Sequence, residues 1–306
     1  MTATWSVGRD GADYPSQLLD LDENLPGLDP SPRMLHGVGE RGALLEADVD
    51  ATVTIVGARR ATPYGLGIAR ELGRDLAAAD VVVVSGLAYG IDTAAHRGAI
   101  EAGGTTIAVL AGGPDVIYPA SAAPVYRRIL ERGAAISERT PGTKPERWSF
   151  PTRNRIMAAL AKVTVVVEAA QPSGSTITAN AALQMGRDVG AVPGPIHSRV
   201  SAGTNALLGD GARVVSGASD VLDLLFGVGS GAGRPAGPAI DPELVPVLAA
   251  VEAGVQAPDA IAARTGLPAH QVAVALTRLE LVGYIASSLS GLYSRTALQP
   301  PSTIPP

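Results

Sequence analysis

Six consecutive residues, Phe150-Pro151-Thr152-Arg153-Asn154-Arg155, place an aromatic ring, two guanidinium groups and an amide just ahead of an apolar run, Ile156 to Leu160. The run reads as a helix body, so the arginines fall near a helix N-terminus. There the first backbone N–H groups have no intrahelical partners and the dipole favours negative charge, which makes an anion the natural ligand. Arginine grips phosphate through two parallel hydrogen bonds. The plainer alternative is a pair of surface arginines bridged to carboxylates. Local charge favours phosphate. Between Arg127 and Lys162 nine side chains are basic and three acidic, a surplus of six in a chain whose net charge is −5. A basic stretch inside an acidic protein marks an anion site.

Other small and polar runs follow apolar segments that read as strands. They are Gly57-Ala58-Arg59-Arg60, Ser85-Gly86-Leu87-Ala88-Tyr89-Gly90-Ile91-Asp92, Ala111-Gly112-Gly113, Glu168 with Ser173-Gly174-Ser175-Thr176, and Pro193-Gly194. Glycine lets a backbone approach a ligand, and serine and threonine add donors. Each run alone is also what a tight strand-to-helix turn requires. Several at one sheet edge would form a cradle. Trp148, Phe150 and Tyr89 are candidate platforms for stacked bases, each worth roughly 1–3 kcal/mol where stacking occurs.

The familiar small-nucleotide devices are missing. A Walker loop needs Gly-Lys-Ser/Thr, but Thr143 and Ala161 precede the only lysines, Lys144 and Lys162. The dinucleotide fingerprint needs glycine where Arg59 stands. NAD and ATP are not expected, and no cofactor or metal is. The histidines His36, His96, His197 and His270 lack metal-ligand spacing. His96 follows Asp92 by one helical turn, which suggests an i, i+4 hydrogen bond. Glu168 is the best lone general base, with a capping or arginine-pairing role as its alternative.

These loops need a scaffold. Strands are expected at 53–56, 81–84, 106–110, 134–137, 163–167, 189–192 and 213–215, short, β-branched and apolar on both faces. Helices are expected between them at 67–79, 92–102, 122–132, 156–160 and 178–185. The alternation predicts an α/β fold: an extended, Rossmann-like, doubly wound and mostly parallel sheet over residues 51–226, with ligands beyond the C-terminal strand ends. Residues 1–50, rich in proline and glycine, read as an irregular lead-in. Residues 227–239 have the composition of a flexible linker. Residues 240–296 read as three helices and a hairpin around Ser290-Gly291, a small winged-helix-like domain, and 297–306 as a disordered tail.

With 306 residues, 46% hydrophobic and 17% charged, the chain has length for about two domains and the composition of a soluble protein. No apolar run approaches the roughly 20 residues needed to span a bilayer, so no membrane association is expected. Cysteine is absent, which excludes disulfides and thiolate chemistry, and the cytoplasm is the default compartment.

In order, VTIVGARRATPYG, VVSGLAYGIDTAAH, TIAVLAGGPDVIYP, ISERTPGTKPERWSFPTRNRIMAALA, VVVEAAQPSGSTITA and VPGPIHSRVSAGTNALLGDGA resemble the DNA-processing protein A family, also called DprA or Smf. The likeness runs from about Val53 to Val215, and FPTRNR and SGLAYGID are its most specific parts. It implies a non-catalytic domain that binds single-stranded DNA, protects incoming strands in natural transformation and loads the RecA recombinase onto them. A homodimer through the Rossmann-like domain is implied too. By motif position the DNA contacts would be Gly57, Arg59, Ser85, Gly86, Arg153, Asn154, Ser173, Gly174 and Ser175. The residues' own chemistry adds Phe150, Arg155 and Thr176. Three departures stand out: Ala58 replaces a common serine, the asparagine usual after Tyr118-Pro119 is not evident, and no sterile-alpha-motif-like domain is expected before residue 50.

Two other readings compete. One is a nucleotide phosphoribohydrolase on a similar scaffold with Glu168 as acid–base residue. The other is a transcription regulator, disfavoured because 240–296 carries five acidic and three basic residues.

Overall fold

Runs of Val, Ile, Thr and Ala with no charge build the central strands, because a strand covered on both faces has no solvent side to accommodate polar groups. The computed structural model describes residues 4–23, 25–45, 47–229, 240–287 and 291–295. Nine strands form one sheet: β1 (Thr4–Gly8), β2 (Met34–Gly39), β3 (Thr52–Val56), β4 (Val82–Ser85), β5 (Thr106–Val109), β6 (Ala134–Ser137), β7 (Val163–Val166), β8 (Asp188–Ala191) and β9 (Arg213–Val214), in the order β1-β2-β6-β5-β4-β3-β7-β8-β9. From β6 to β9 every pairing is parallel.

Residues 1–50 are not the irregular lead-in expected from their breakers. β2 pairs antiparallel with β6 and β1 with β2, extending the sheet at one edge. The glycines that hid this strand are there for packing. A Cβ on Gly37 would lie 2.2 Å from the Trp5 indole, which crosses β2 at that point and donates its N–H to Gly39 O at 3.0 Å.

The connecting helices are α1 (Arg41–Leu45), α2 (Pro63–Ala78), α3 (Ile91–Glu101), α4 (Ala123–Ile129), α5 (Ser149–Leu160), α6 (Gly174–Gln184), α7 (Ala202–Gly209) and α8 (Ala218–Phe226). One core layer joins the sheet to α5, α6 and the amino-terminal segment through Leu18, Leu21, Leu35, Ile156, Met157, Ala179 and Ala182. The other joins it to α2, α3 and α8 through Leu72, Leu76, Ile91, Ala95, Val221 and Leu225. The helices leave β3 and β7 in opposite directions across the sheet, so the chain reverses between these two neighbours. A crevice must open beyond their C-terminal ends.

A second unit begins beyond residue 231. Its described part has α9 (Val245–Glu252), α10 (Pro258–Thr265) and α11 (Ala269–Leu281) around Leu248, Ile261, Leu276, Leu279 and Tyr284, with a hairpin of β10 (Ile285–Ser287) and β11 (Tyr293–Arg295). Most of the expected linker, Ser290 of the expected turn and the expected tail lie outside the described residues. No described helix is long and apolar enough to cross a membrane.

Candidate nucleic-acid interface

Beyond β3 and β7 lies a cleft of about 900 Å³. Gly57 to Arg60 after β3, Ala88 and Asp92 after β4, the start of α5, Ala170 and Pro172 to Ser175 after β7, and Arg199-Val200 line it. Of the residues expected from sequence, it brings together Gly57, Arg59, Phe150, Arg153, Asn154, Ser173, Gly174 and Ser175.

α5 begins earlier than the apolar run suggested. Ser149 stands at its first position, with its hydroxyl donating to Glu146 O (2.7 Å) and accepting from Glu146 N (3.0 Å). Pro151 is tolerated because first-turn N–H groups are unpaired anyway. FPTRNR is therefore helical throughout, and its side chains fan around the axis instead of facing one ligand.

Their fates differ accordingly. Phe150 is half-buried at the cleft wall, tilted against Tyr118 with ring centroids 5.6 Å apart. The Arg59 guanidinium lies over the Phe150 ring at 5.0 Å. Arg59 is exposed and forms no salt bridge among the described residues, although it lies close enough to Asp92 to favour that carboxylate's charged form. Arg153 is only 4% exposed and donates to Gly86 O (2.9 Å) and to Val109 O, bracing two strand ends from within. Burial pushes it down to about 10, against the pull of Asp92, so it stays cationic at neutral pH. Asp92 accepts from Ala88 N (3.3 Å), and burial raises its carboxyl above the ordinary range despite Arg153. Asn154 donates to Gly174 O (3.1 Å), tying α5 to the head of α6.

α6 supplies the anion-friendly end. Ser173 caps it, accepting from Ser175 N (3.3 Å), and Gly174 has open space where a Cβ would stand. One turn in, Thr178 lines the cleft with a fully buried hydroxyl that has no hydrogen-bond partner among the described residues.

Four expected site residues lie elsewhere. Ser85 is buried and its hydroxyl donates to Ile55 O (2.6 Å), stitching β4 to β3. Gly86 is buried too, and a Cβ there would fall 2.4 Å from the Arg153 guanidinium, so its smallness seats that arginine. Arg155 points away, bonded to both Glu138 oxygens (3.1 and 2.8 Å) and to Pro30 O and Asp29 O. It pins the amino-terminal segment, because every donor is taken within the protein. The Thr176 hydroxyl donates to Ser173 O (2.6 Å) and reinforces the cap.

The nine basic residues between 127 and 162 do not form one surface either. Arg132 donates to Gly103 O, Arg139 lies over the Trp148 ring at 4.8 Å, and Lys162 pairs with Asp50. Of the nine only Arg147 and Arg153 line the cleft, and Arg59, Arg60 and Arg199 from two other stretches of chain supply the rest of its positive charge. Arg60, Arg147, Arg199 and the half-exposed Tyr118 were missed in sequence, although each lies in a run that resembles the family. Nothing in linear order shows which arginines turn inward.

Glu168 is 3% exposed and accepts from Thr62 N (2.8 Å) and Thr62 Oγ1 (2.5 Å) at the head of α2. It serves as a cap, and its acid–base alternative loses its access. Asp92 and His96 do not bond to each other: His96 Nδ1 pairs with Thr106 Oγ1 at 2.7 Å.

Comparison with known proteins fits this geometry. A family model described as DNA recombination-mediator protein A matches residues 6–226, and one described as DprA winged helix domain matches residues 232–289. A putative DNA processing protein DprA of Mycobacterium tuberculosis is 46% identical over 203 residues, covering 66% of this chain and 52% of that protein, so the chain spans about half the length of this relative. Protein Smf of Escherichia coli is 36% identical over 294 residues, 93% of this chain and 76% of its own. Among solved structures, DprA of Streptococcus pneumoniae superposes with a TM-score of 0.64 at 36% identity, covering 71% of this chain and 73% of its own. DprA of Helicobacter pylori, described for its single-stranded DNA binding mode, gives 0.63 at 29% identity, with 73% and 96% covered. The doubly wound domain with its strand-end cleft and the winged-helix unit thus both have their counterparts, and the chain belongs to the DNA recombination-mediator protein A family, also called DprA or Smf.

Proposed function

We propose that this cleft binds the backbone of single-stranded DNA and that the protein acts as a non-catalytic recombination mediator. One observation carries the reading. Arginines from separate stretches converge on the head of α6, beside a half-exposed aromatic pair, with Asp92 as the cleft's only carboxylate among the described residues. Cations and backbone N–H groups attract phosphates, and rings stack on bases that a duplex would hide. The single-strand mode described for the H. pylori relative supports it.

Fluorescence-anisotropy titrations with single- and double-stranded oligonucleotides over a salt series test this. Strong single-strand preference with a steep log–log salt slope is expected, and equal affinity for both forms would refute it. The family's further roles follow as part of the proposal: protection of incoming strands and loading of RecA recombinase in natural transformation, by a homodimer joined through the Rossmann-like domain. Sedimentation of the protein and a strand-exchange assay with RecA test them. Incubation with nucleoside monophosphates should release no base.

A further inference from the structure

A second cleft, of about 880 Å³, opens between α2 and the start of α3 and shares Arg59 and Arg60 with the first. Its distinctive wall is Tyr89, an aromatic that is 51% exposed and whose hydroxyl makes no hydrogen bond among the described residues. An exposed tyrosine at a loop tip needs a reason, because burying its ring would be favourable. The backbone holds it there. Leu87 (φ 56°) and Gly90 (φ 78°) both adopt left-handed conformations around it, and turn the chain outward between them. Gly90 packs so close to the preceding loop that a Cβ would lie 2.2 Å from Ala58 O, and Ile91 N donates to that same oxygen at 3.3 Å. Tyr89 is thereby fixed beside the Arg59-Arg60 loop.

The charge around it is one-sided. Arg70 is neutralised by Glu101 at 2.7 Å, but Arg59, Arg60 and Arg97 form no salt bridge among the described residues. Arg97, on α3 about two turns beyond Tyr89, lines the same cleft.

Resting on the single-strand reading above, we infer that this cleft is a second subsite for the same strand, with Tyr89 stacking a base and Arg97 holding a phosphate beyond those in the first cleft. The shared Arg59-Arg60 loop makes the two clefts one continuous path. Charge complementarity and this continuity select the next nucleotides of the strand as occupant.

Oligothymidylates of about 4 and about 20 nucleotides, titrated against the full chain at fixed salt, test it. The short one fills the first cleft alone, and the long one spans both. Tyr89→Ala should weaken the long oligonucleotide about tenfold and leave the short one unchanged. Tyr89→Phe, which keeps the ring, should bind like the parent. Arg97→Ala should lower the salt slope for the long oligonucleotide by about one and not for the short one. A long iodouracil-substituted oligonucleotide should photocrosslink to the peptide containing Tyr89. If the parent gains affinity with length and neither Tyr89→Ala nor Arg97→Ala changes it, this inference is wrong and the first cleft stands. If the parent binds neither length, both fail.

Discussion

Two arginines that look alike in sequence do different work. Arg59 is exposed, lies over the Phe150 ring and is in no salt bridge among the described residues, so Arg59→Ala should change thermal stability little and weaken single-strand binding several-fold. Arg153 is buried, bonded to carbonyls at two strand ends and close to Asp92. Removing it strands a buried carboxylate and two acceptors, so Arg153→Ala should cost about 3 kcal/mol in urea unfolding. A double variant would confuse lost binding with lost fold, and Arg59 alone gives the cleaner test. A third residue reports on pH. Burial holds His96 at about 3, with Arg153 adding to the effect, so it is neutral in the native state. The unfolded chain, near the ordinary value of about 6.5, binds a proton first, so this contribution to stability is complete above that value and lost as pH falls toward 3. Relative to a His96→Asn variant, the parent should lose up to about 1.4 kcal/mol per pH unit below pH 6. The groups that act on His96 are Arg153, Thr106 and the Ser85 backbone, and the partly exposed His36 titrates alike in both proteins. Denaturant titrations of both proteins at several pH values measure the difference.

At the scale of elements, Glu168 and α2 show how a residue with catalytic promise is absorbed by a helix end. Its carboxylate takes the Thr62 N–H and hydroxyl, and Gly65 is bare because a Cβ there would meet that carboxylate at 2.4 Å. Glu168→Ala should therefore destabilise the fold by about 1–2 kcal/mol, measured by thermal unfolding, while single-strand affinity changes little. A glycosidic acid–base role would instead leave stability intact. The same element logic explains what was legible beforehand. The parallel strands announced themselves because both faces are buried, and Val163 to Val166 could hardly be anything else. β2 was hidden because Gly37 makes room for Trp5 and Gly39 for the backbone at Gly133, and composition alone reads both as breakers. The loops of the cleft were legible as a set. Which side chain of each loop enters it was not, because Arg153 and Arg155 are separated by one residue and a helix sends such neighbours to different faces.

For the molecule as a whole, charge assigns the two units different tasks. The doubly wound unit gathers Arg59, Arg60, Arg147, Arg153 and Arg199 at one cleft, whereas in the second unit Arg278 and Arg295 are held in ion pairs of its own. On α11, the helix that a DNA-reading winged helix would insert in the major groove, Arg278 is bridged to Asp241 and Glu243, and Arg295 nearby in sequence to Glu252. Val274, Leu281 and Val282 are exposed on and just after this helix, beside the exposed Glu280, and such side chains suit a protein partner better than phosphates. A duplex ligand would have to break both bridges and approach uncompensated carboxylates, a cost that rises as salt falls and repulsion lengthens. A chain ending at residue 231 should therefore keep the single-strand affinity and salt slope of the full protein, each within about twofold. Titrating both proteins with the same long oligonucleotide decides the matter. A drop of tenfold or more on truncation, or tight duplex binding that only the full chain shows, would place part of the nucleic-acid surface on the second unit.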